Sequence, residues 1–247
     1  MTEKWVQGEV VSVKHWTDSL YSIKIDAPNV RFTAGQYTKI SLNIDDEDVA
    51  RPYSFVNSPD ESLLEIYSVS VPNGPLSTSL KKLNKGDPIK VGTHGNGFLV
   101  LDEIPIVENI WMLATGTGLG VFISLLKTSD PWQRFENIVL VHGVRNSNEL
   151  IYQDQINEFD KMNPGKFKYV KTVTREEKEG CLNMRIPAGL DSKMIQESAN
   201  LEINQDSQIM ICGNPDMIND TVELLGKQGL ERNRRSKPGN ITLEKYW

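Results

Sequence analysis

The chain has 247 residues, 38% of them hydrophobic and 24% charged, a soluble globular composition long enough for two domains of ordinary size. Its 27 basic and 33 acidic residues leave a net charge of −6, which argues against general nucleic-acid binding. Two cysteines, Cys181 and Cys212, are too few for an iron–sulfur cluster or a cysteine-rich zinc site, and His15, His94 and His142 show no ligand spacing, so no metal is expected.

From the N-terminus onward, Met1-Thr2-Glu3-Lys4-Trp5 lacks the basic-then-apolar order of a signal peptide, and no apolar run approaches a membrane span. A cytoplasmic protein without a membrane partner is the expectation. Period-2 alternation then predicts strands at Val11–Lys14, Tyr21–Ile25, Ile40–Ile44, Leu64–Val69 and Ile89–Val91. Turn signals separate them: Ala34-Gly35, the acidic run Asp45-Asp46-Glu47-Asp48, Asn73-Gly74-Pro75, Lys85-Gly86-Asp87 and Gly95-Asn96-Gly97. Only Leu76–Leu83 reads as helix. This half, residues 1–101, is expected to be an antiparallel β-barrel.

The rhythm changes after the linker-like Asp102-Glu103-Ile104-Pro105. Strands are predicted at Ile110–Ala114, Ile138–Val141, Phe167–Thr174 and Ile209–Cys212. Helices are predicted at Val121–Lys127, Leu150–Met162, Lys193–Ala199 and Met217–Leu225. Continuous apolar strands alternating with helices mean βαβ units and a parallel sheet. Residues 102–247 are thus expected to form a Rossmann-like α/β domain, and no internal repeat is present.

Four features carry chemistry. Arg51-Pro52-Tyr53-Ser54 offers a cation for a pyrophosphate, a ring and a hydroxyl, a set that suits a flavin; the chain also stops on the aromatic pair Tyr246-Trp247. Singly, Tyr53 reads as well as strand core and Trp247 as surface packing. Thr115-Gly116-Thr117-Gly118-Leu119-Gly120 follows a buried strand, where glycines let the backbone approach a pyrophosphate at a helix N-terminus. The dinucleotide fingerprint is only partly met, because Val121 stands sixth from Gly116. The next strand ends in Arg145 where an acid would hold the ribose hydroxyls of a non-phosphorylated cofactor. With Arg175 and Arg185 it offers planar forks to a 2′-phosphate, although each alone reads equally as a solvated loop charge. Cys212-Gly213-Asn214-Pro215 closes the last predicted strand and should face the same crevice; alternatively Cys212 is simply a small buried residue.

Taken together, these segments and Phe32-Thr33-Ala34-Gly35-Gln36, Val56-Asn57-Ser58-Pro59, Gly74-Pro75-Leu76-Ser77 and Glu244-Lys245-Tyr246 resemble the ferredoxin/flavodoxin–NADP reductase family in its bacterial form, over essentially the whole length. The resemblance implies an FAD flavoenzyme that moves electrons between NADPH and ferredoxin or flavodoxin, acting as a monomer. It implies that Tyr53 and Tyr246 stack on the two faces of the flavin ring, that Ser54 bonds near its reactive nitrogen, and that Cys212 and Glu244 polarise the reacting edge or relay a proton. Arg51, Pro52 and Gly74 to Ser77 would hold the FAD pyrophosphate, Tyr67 and Val69 would line the pocket, Thr117 would sit where the two rings meet, and Trp247 would stack on adenine. Gly116, Gly118, Asn214 and Asp216 would join Arg145, Arg175 and Arg185 around NADP. Within this sequence Arg232-Asn233-Arg234-Arg235-Ser236-Lys237, and Lys81-Lys82 with Lys85, are candidate cationic faces for an acidic carrier.

Overall fold

Alternation in the first hundred residues folds into six antiparallel strands: β1 (Trp5–His15), β2 (Leu20–Asp26), β3 (Tyr37–Ile44), β4 (Glu47–Ser54), β5 (Leu64–Val69) and β6 (Pro88–Gly92). The computed structural model describes residues 5–246, so Trp247 lies outside the described residues. The strand order is β4-β3-β6-β1-β2-β5. The sheet curls until its ends meet: Phe55, just past β4, bridges Ile66 of β5, and Val56 N–H donates to Glu65 O at 2.8 Å. Inside lie Val10, Tyr21, Ile23, Ile40, Phe55 and Val91, all fully buried. Helix α1 (Pro75–Leu80) packs Leu76 and Leu80 into that core. It stops short of the predicted Leu83, because the chain leaves it through three-residue turns, with Lys82 N–H on Ser79 O and Leu83 N–H on Leu80 O.

Strand β4 was not anticipated. Only Asp45 and Asp46 of the acidic run form the turn, both with positive φ, while Glu47 and Asp48 already pair with Ile44 and Asn43. A two-residue loop with both φ positive matches the twist of a hairpin. Pro52 sits opposite Lys39 in β4, a strand that pairs with β3 alone along its length, so its missing N–H costs no ladder bond.

The second half forms a parallel sheet, order β11-β10-β7-β8-β9. Its elements are β7 (Asn109–Thr115), α2 (Leu119–Leu126), α3 (Asp130–Arg134), β8 (Asn137–Val144), α4 (Gln153–Met162), β9 (Phe167–Val173), α5 (Ile186–Asp191), α6 (Met194–Ala199), β10 (Ser207–Gly213), α7 (Pro215–Lys227) and β11 (Ile241–Lys245). Helices α3 and α5, at five and six residues, are too short to show a period, and β11 is a five-residue edge strand. Helix α4 starts three residues later than predicted because Tyr152 takes a left-handed conformation, φ 58°.

One apolar cluster joins the two halves. Leu20, Ala34, Val56 and Tyr67 from the barrel pack with Leu119, Phe122 and Leu126 of α2 and with Ile110 and Met112 of β7. The linker-like segment belongs to this core. Leu101 and Ile104 are buried, and Arg134 donates to both of their carbonyls at 2.5 Å. Among the described residues, no helix is long and apolar enough to cross a membrane.

Candidate functional site

Strand β11 builds the centre of the site. Running parallel to β10, it sets Glu244 opposite Cys212 and Lys245 opposite Gly213, and Tyr246 N–H then donates to Gly213 O at 3.1 Å. The Tyr246 hydroxyl donates to Ser54 Oγ at 2.5 Å, at the end of β4 in the other sheet. Ser54, Cys212, Glu244 and Tyr246, separated by up to 192 residues, are thereby brought together. Burial governs their chemistry. It pushes the Glu244 carboxyl up to about 7, and pushes the Cys212 thiol and Tyr246 phenol well above their ordinary values. A carboxyl poised near neutrality can hold or release a proton at working pH.

Arg51, Pro52 and Tyr53 lead into Ser54 along β4. The Arg51 guanidinium is exposed and donates only to Ala50 O, at 2.7 Å, with no ion pair among the described residues. Tyr53 is half-buried, and burial pushes its phenol up to about 12. Helix α1, packed against β3 and β4, begins at Gly74 with no side-chain cap on its first N–H groups. Ser77 shapes that start: its Oγ donates to Gly74 O and accepts from Val71 N–H, and its carbonyl accepts from Tyr21 at 2.8 Å. Tyr67 and Val69 lie on the face of β5 opposite Ser68. Tyr67 is 5% exposed in the shared core with no partner for its hydroxyl, and Val69 lies at the edge of that core. An unpaired guanidinium, uncapped helical N–H groups and a partly open ring fit the pyrophosphate and ring of FAD.

The turn after β7 is a 3-10 turn, Gly116–Gly118. Gly116 has φ +53°, and a Cβ placed there would meet nothing within 4 Å, so the turn borders open space. Beside it runs the turn after β10. Gly213, φ +132°, passes so close that a Cβ would lie 2.2 Å from Thr115 Oγ1, and that same oxygen accepts from Asn214 N–H at 2.8 Å. Asn214 in turn caps α7, accepting from Asp216 and Met217 N–H. Thr117 is buried under the turn, whereas Asp216 is exposed in the first turn of α7. Of the arginines, Arg175 N–H donates to Arg145 O at 2.9 Å, which sets these two residues side by side. Leu182 bridges Thr172 of β9 and so places Arg185, which precedes α5, near the same sheet end. All three side chains are exposed, and no hydrogen bond or ion pair engages them among the described residues. Planar guanidinium forks such as these suit paired hydrogen bonds to phosphate oxygens.

The sequence carries no signal for the roles of Thr115 and His142. Thr115 acts through its hydroxyl on a segment 99 residues away, and His142 lies inside an apolar run with its ring against Gly116 O. A cleft of about 930 Å³ between β1, β2 and the start of α4 is lined by Lys14, Trp16, Glu65, Lys127 and Tyr152, and by none of the predicted site residues. Among the described residues, no group of three or more His, Cys, Asp or Glu is placed to hold a metal ion.

Residues 9–97 match the family described as oxidoreductase FAD-binding domain, and residues 112–223 the family described as oxidoreductase NAD-binding domain. The chain is 44% identical to a flavodoxin/ferredoxin–NADP reductase of Escherichia coli, over 98% of this chain and 99% of that one. It is 38% identical to a ferredoxin–NADP reductase of Azotobacter vinelandii, over 96% and 95%. Among solved structures, a ferredoxin NADP+ reductase from Neisseria gonorrhoeae with bound FAD and NADP superposes with a TM-score of 0.93 at 31% identity, covering 98% of each chain.

Proposed function

Because the chain belongs to the flavodoxin/ferredoxin–NADP reductase family, we propose that it transfers electrons between NADPH and a small one-electron carrier, ferredoxin or flavodoxin, by way of FAD. The observation that carries the reading is the hydrogen bond from Tyr246 to Ser54. It brings the flavin motif of the barrel, the carboxyl end of the parallel sheet and the chain terminus to one point. FAD, when bound, accepts a hydride from the nicotinamide and releases electrons singly.

The chain's own residues supply the rest. Arg51 and the Gly74–Ser77 segment, with Pro75 and Leu76 fixing its shape, hold the FAD pyrophosphate, and Tyr53 covers one ring face. Tyr246 covers the other face and must leave Ser54 before a nicotinamide can stack there. Ser54, freed of that bond, is then available to the reactive edge. Glu244, poised near neutrality, holds or passes a proton beside Cys212. Gly116, Thr117, Gly118, Asn214 and Asp216 border the nicotinamide nucleotide, and Arg145, Arg175 and Arg185 select its 2′-phosphate. Tyr67 and Val69 back the FAD pocket from the shared core. The reading divides the chain into an FAD-binding domain, residues 1–101, and an NADP-binding domain, 102–247, and takes it as a cytoplasmic monomer without nucleic-acid or membrane partners.

The test is an anaerobic titration of the FAD-loaded protein, followed at the flavin absorbance band. NADPH should bleach that band at concentrations at least ~100-fold below those NADH needs, the discrimination expected of several paired phosphate contacts. Equal responses would remove the arginine assignment, and a protein that retains no flavin would remove the reductase reading.

A further inference from the structure

His142 lies in β8, fully buried, paired in register with Ala114 of β7. Its two ring nitrogens both have partners. Nε2 is 3.3 Å from Gly116 O in the glycine turn, and Nδ1 is 3.3 Å from the Tyr169 hydroxyl on β9. Tyr169 is also 3.1 Å from Gln153 Nε2, at the first residue of α4. The donors fix their own order. A carbonyl only accepts, so Nε2 carries the proton toward Gly116, and burial keeps the imidazole neutral, with its pKa pushed down to about 4. Nδ1 must then accept from the Tyr169 O–H, whose oxygen accepts from the Gln153 amide. The row therefore runs in one direction, from the Gln153 amide through Tyr169 and His142 to the Gly116 carbonyl.

The row ends where it matters. Gly116 is the residue of the turn with a left-handed φ and open space beside it. The carbonyl of this residue is the one that His142 Nε2 meets at 3.3 Å. The far end is also fixed, since Tyr152, adjacent to Gln153, donates to the buried Glu65 of β5 at 2.7 Å. We propose that Gln153, Tyr169 and His142 form a hydrogen-bonded strut that holds the Gly116 peptide in the conformation that receives the nicotinamide nucleotide, which makes His142 a positioning residue for that half of the reaction. The inference rests on the reductase reading for the identity of the nucleotide, and on the geometry alone for the strut.

His142→Leu removes the donor at similar volume, His142→Gln retains one, and Tyr169→Phe removes the hydroxyl that donates to Nδ1. Each is loaded with FAD and assayed with NADPH and ferricyanide. FAD content is read from absorbance, and amide exchange from the peptide spanning residues 115–121. His142→Leu should raise the NADPH KM about tenfold, the loss of one buried hydrogen bond, with a smaller change in kcat and unchanged FAD content. Exchange in residues 115–121 should quicken by a similar factor. His142→Gln should recover most of both, and Tyr169→Phe should fall between. An unmoved KM with unmoved exchange overturns the strut. So does a KM change matched by lost FAD and faster exchange throughout the chain, which would mark a packing defect. Wild-type protein that NADPH fails to reduce would sink the reductase reading, while the exchange of residues 115–121 would still decide the strut.

Discussion

Glu244 is where the surroundings most alter a side chain's ordinary behaviour. Burial raises its carboxyl from 4.5 to about 7, with Cys212 opposite it and Gly97 so close that a Cβ there would lie 2.8 Å from Glu244 Oε2. The folded chain therefore keeps a proton that the unfolded chain releases, and stability falls as pH rises through the window from about 4.5 to 7. At roughly 1.4 kcal/mol per pKa unit, the cost of the buried charge grows by about 2 to 3 kcal/mol between pH 5 and pH 8. Glu244→Gln abolishes that dependence. Urea unfolding of both proteins at the two pH values should show the variant gaining on the wild type by about that amount as pH rises. A difference between them that does not change with pH would mean that the carboxyl is not held protonated. Arginines 145, 175 and 185 differ in kind: exposed and unpaired among the described residues, they contribute through what they bind.

At the scale of elements, two turns lie side by side at the carboxyl end of the parallel sheet, and their glycines have different duties. Gly116→Ala places a methyl in open space at φ +53°. It should cost about 1 kcal/mol of stability, the left-handed penalty, and under the proposed function it should also weaken NADPH binding, because the methyl enters the space assigned to the nucleotide. Gly213→Ala drives a methyl against Thr115 Oγ1 and, at 2.7 Å, its carbonyl, at φ +132°. It should cost about 3 kcal/mol or more, because the backbone must shift and the Asn214–Thr115 bond with it. Thermal unfolding should rank wild type above the Gly116 variant and that above the Gly213 variant, and the reverse order would mean that the turns are misassigned. The first turn was legible because its glycines follow a continuous apolar strand. The second was legible only as a strand end, since its closeness to Thr115 is a product of parallel pairing between β7 and β10. Strand β11 gave no signal: five residues, preceded by a basic loop, do not mark a strand, yet its pairing with β10 positions Glu244 and Tyr246. The reading of Glu244 as a site residue thus came from family resemblance, and periodicity contributed nothing to it.

Across the whole molecule, the division into barrel and parallel sheet was readable from the change of rhythm near residue 102, but the dependence of one on the other was not. Sequence patterns mark which face of an element is apolar without saying what covers it. Here the outer face of the barrel around Val56 and Tyr67 is covered by α2, and the contact is hydrogen-bonded as well as apolar. Buried Ser124 donates to Asn57 O at 2.7 Å, Tyr152 to Glu65 at 2.7 Å, and Lys127 pairs with Glu61 at 3.1 Å. Separating the halves would expose this apolar surface to water and exchange these hydrogen bonds for bonds to solvent, a net loss of about 0.5–1.5 kcal/mol each. Neither half should therefore melt alone. Calorimetry should give one transition, with calorimetric and van't Hoff enthalpies in agreement and with circular dichroism and tryptophan fluorescence coincident. Added FAD should raise that single midpoint, because a ligand of the folded state stabilises the entire cooperative unit. Two separated transitions, with only the first moved by FAD, would show the barrel folding on its own and the shared core as a docking surface between independent domains.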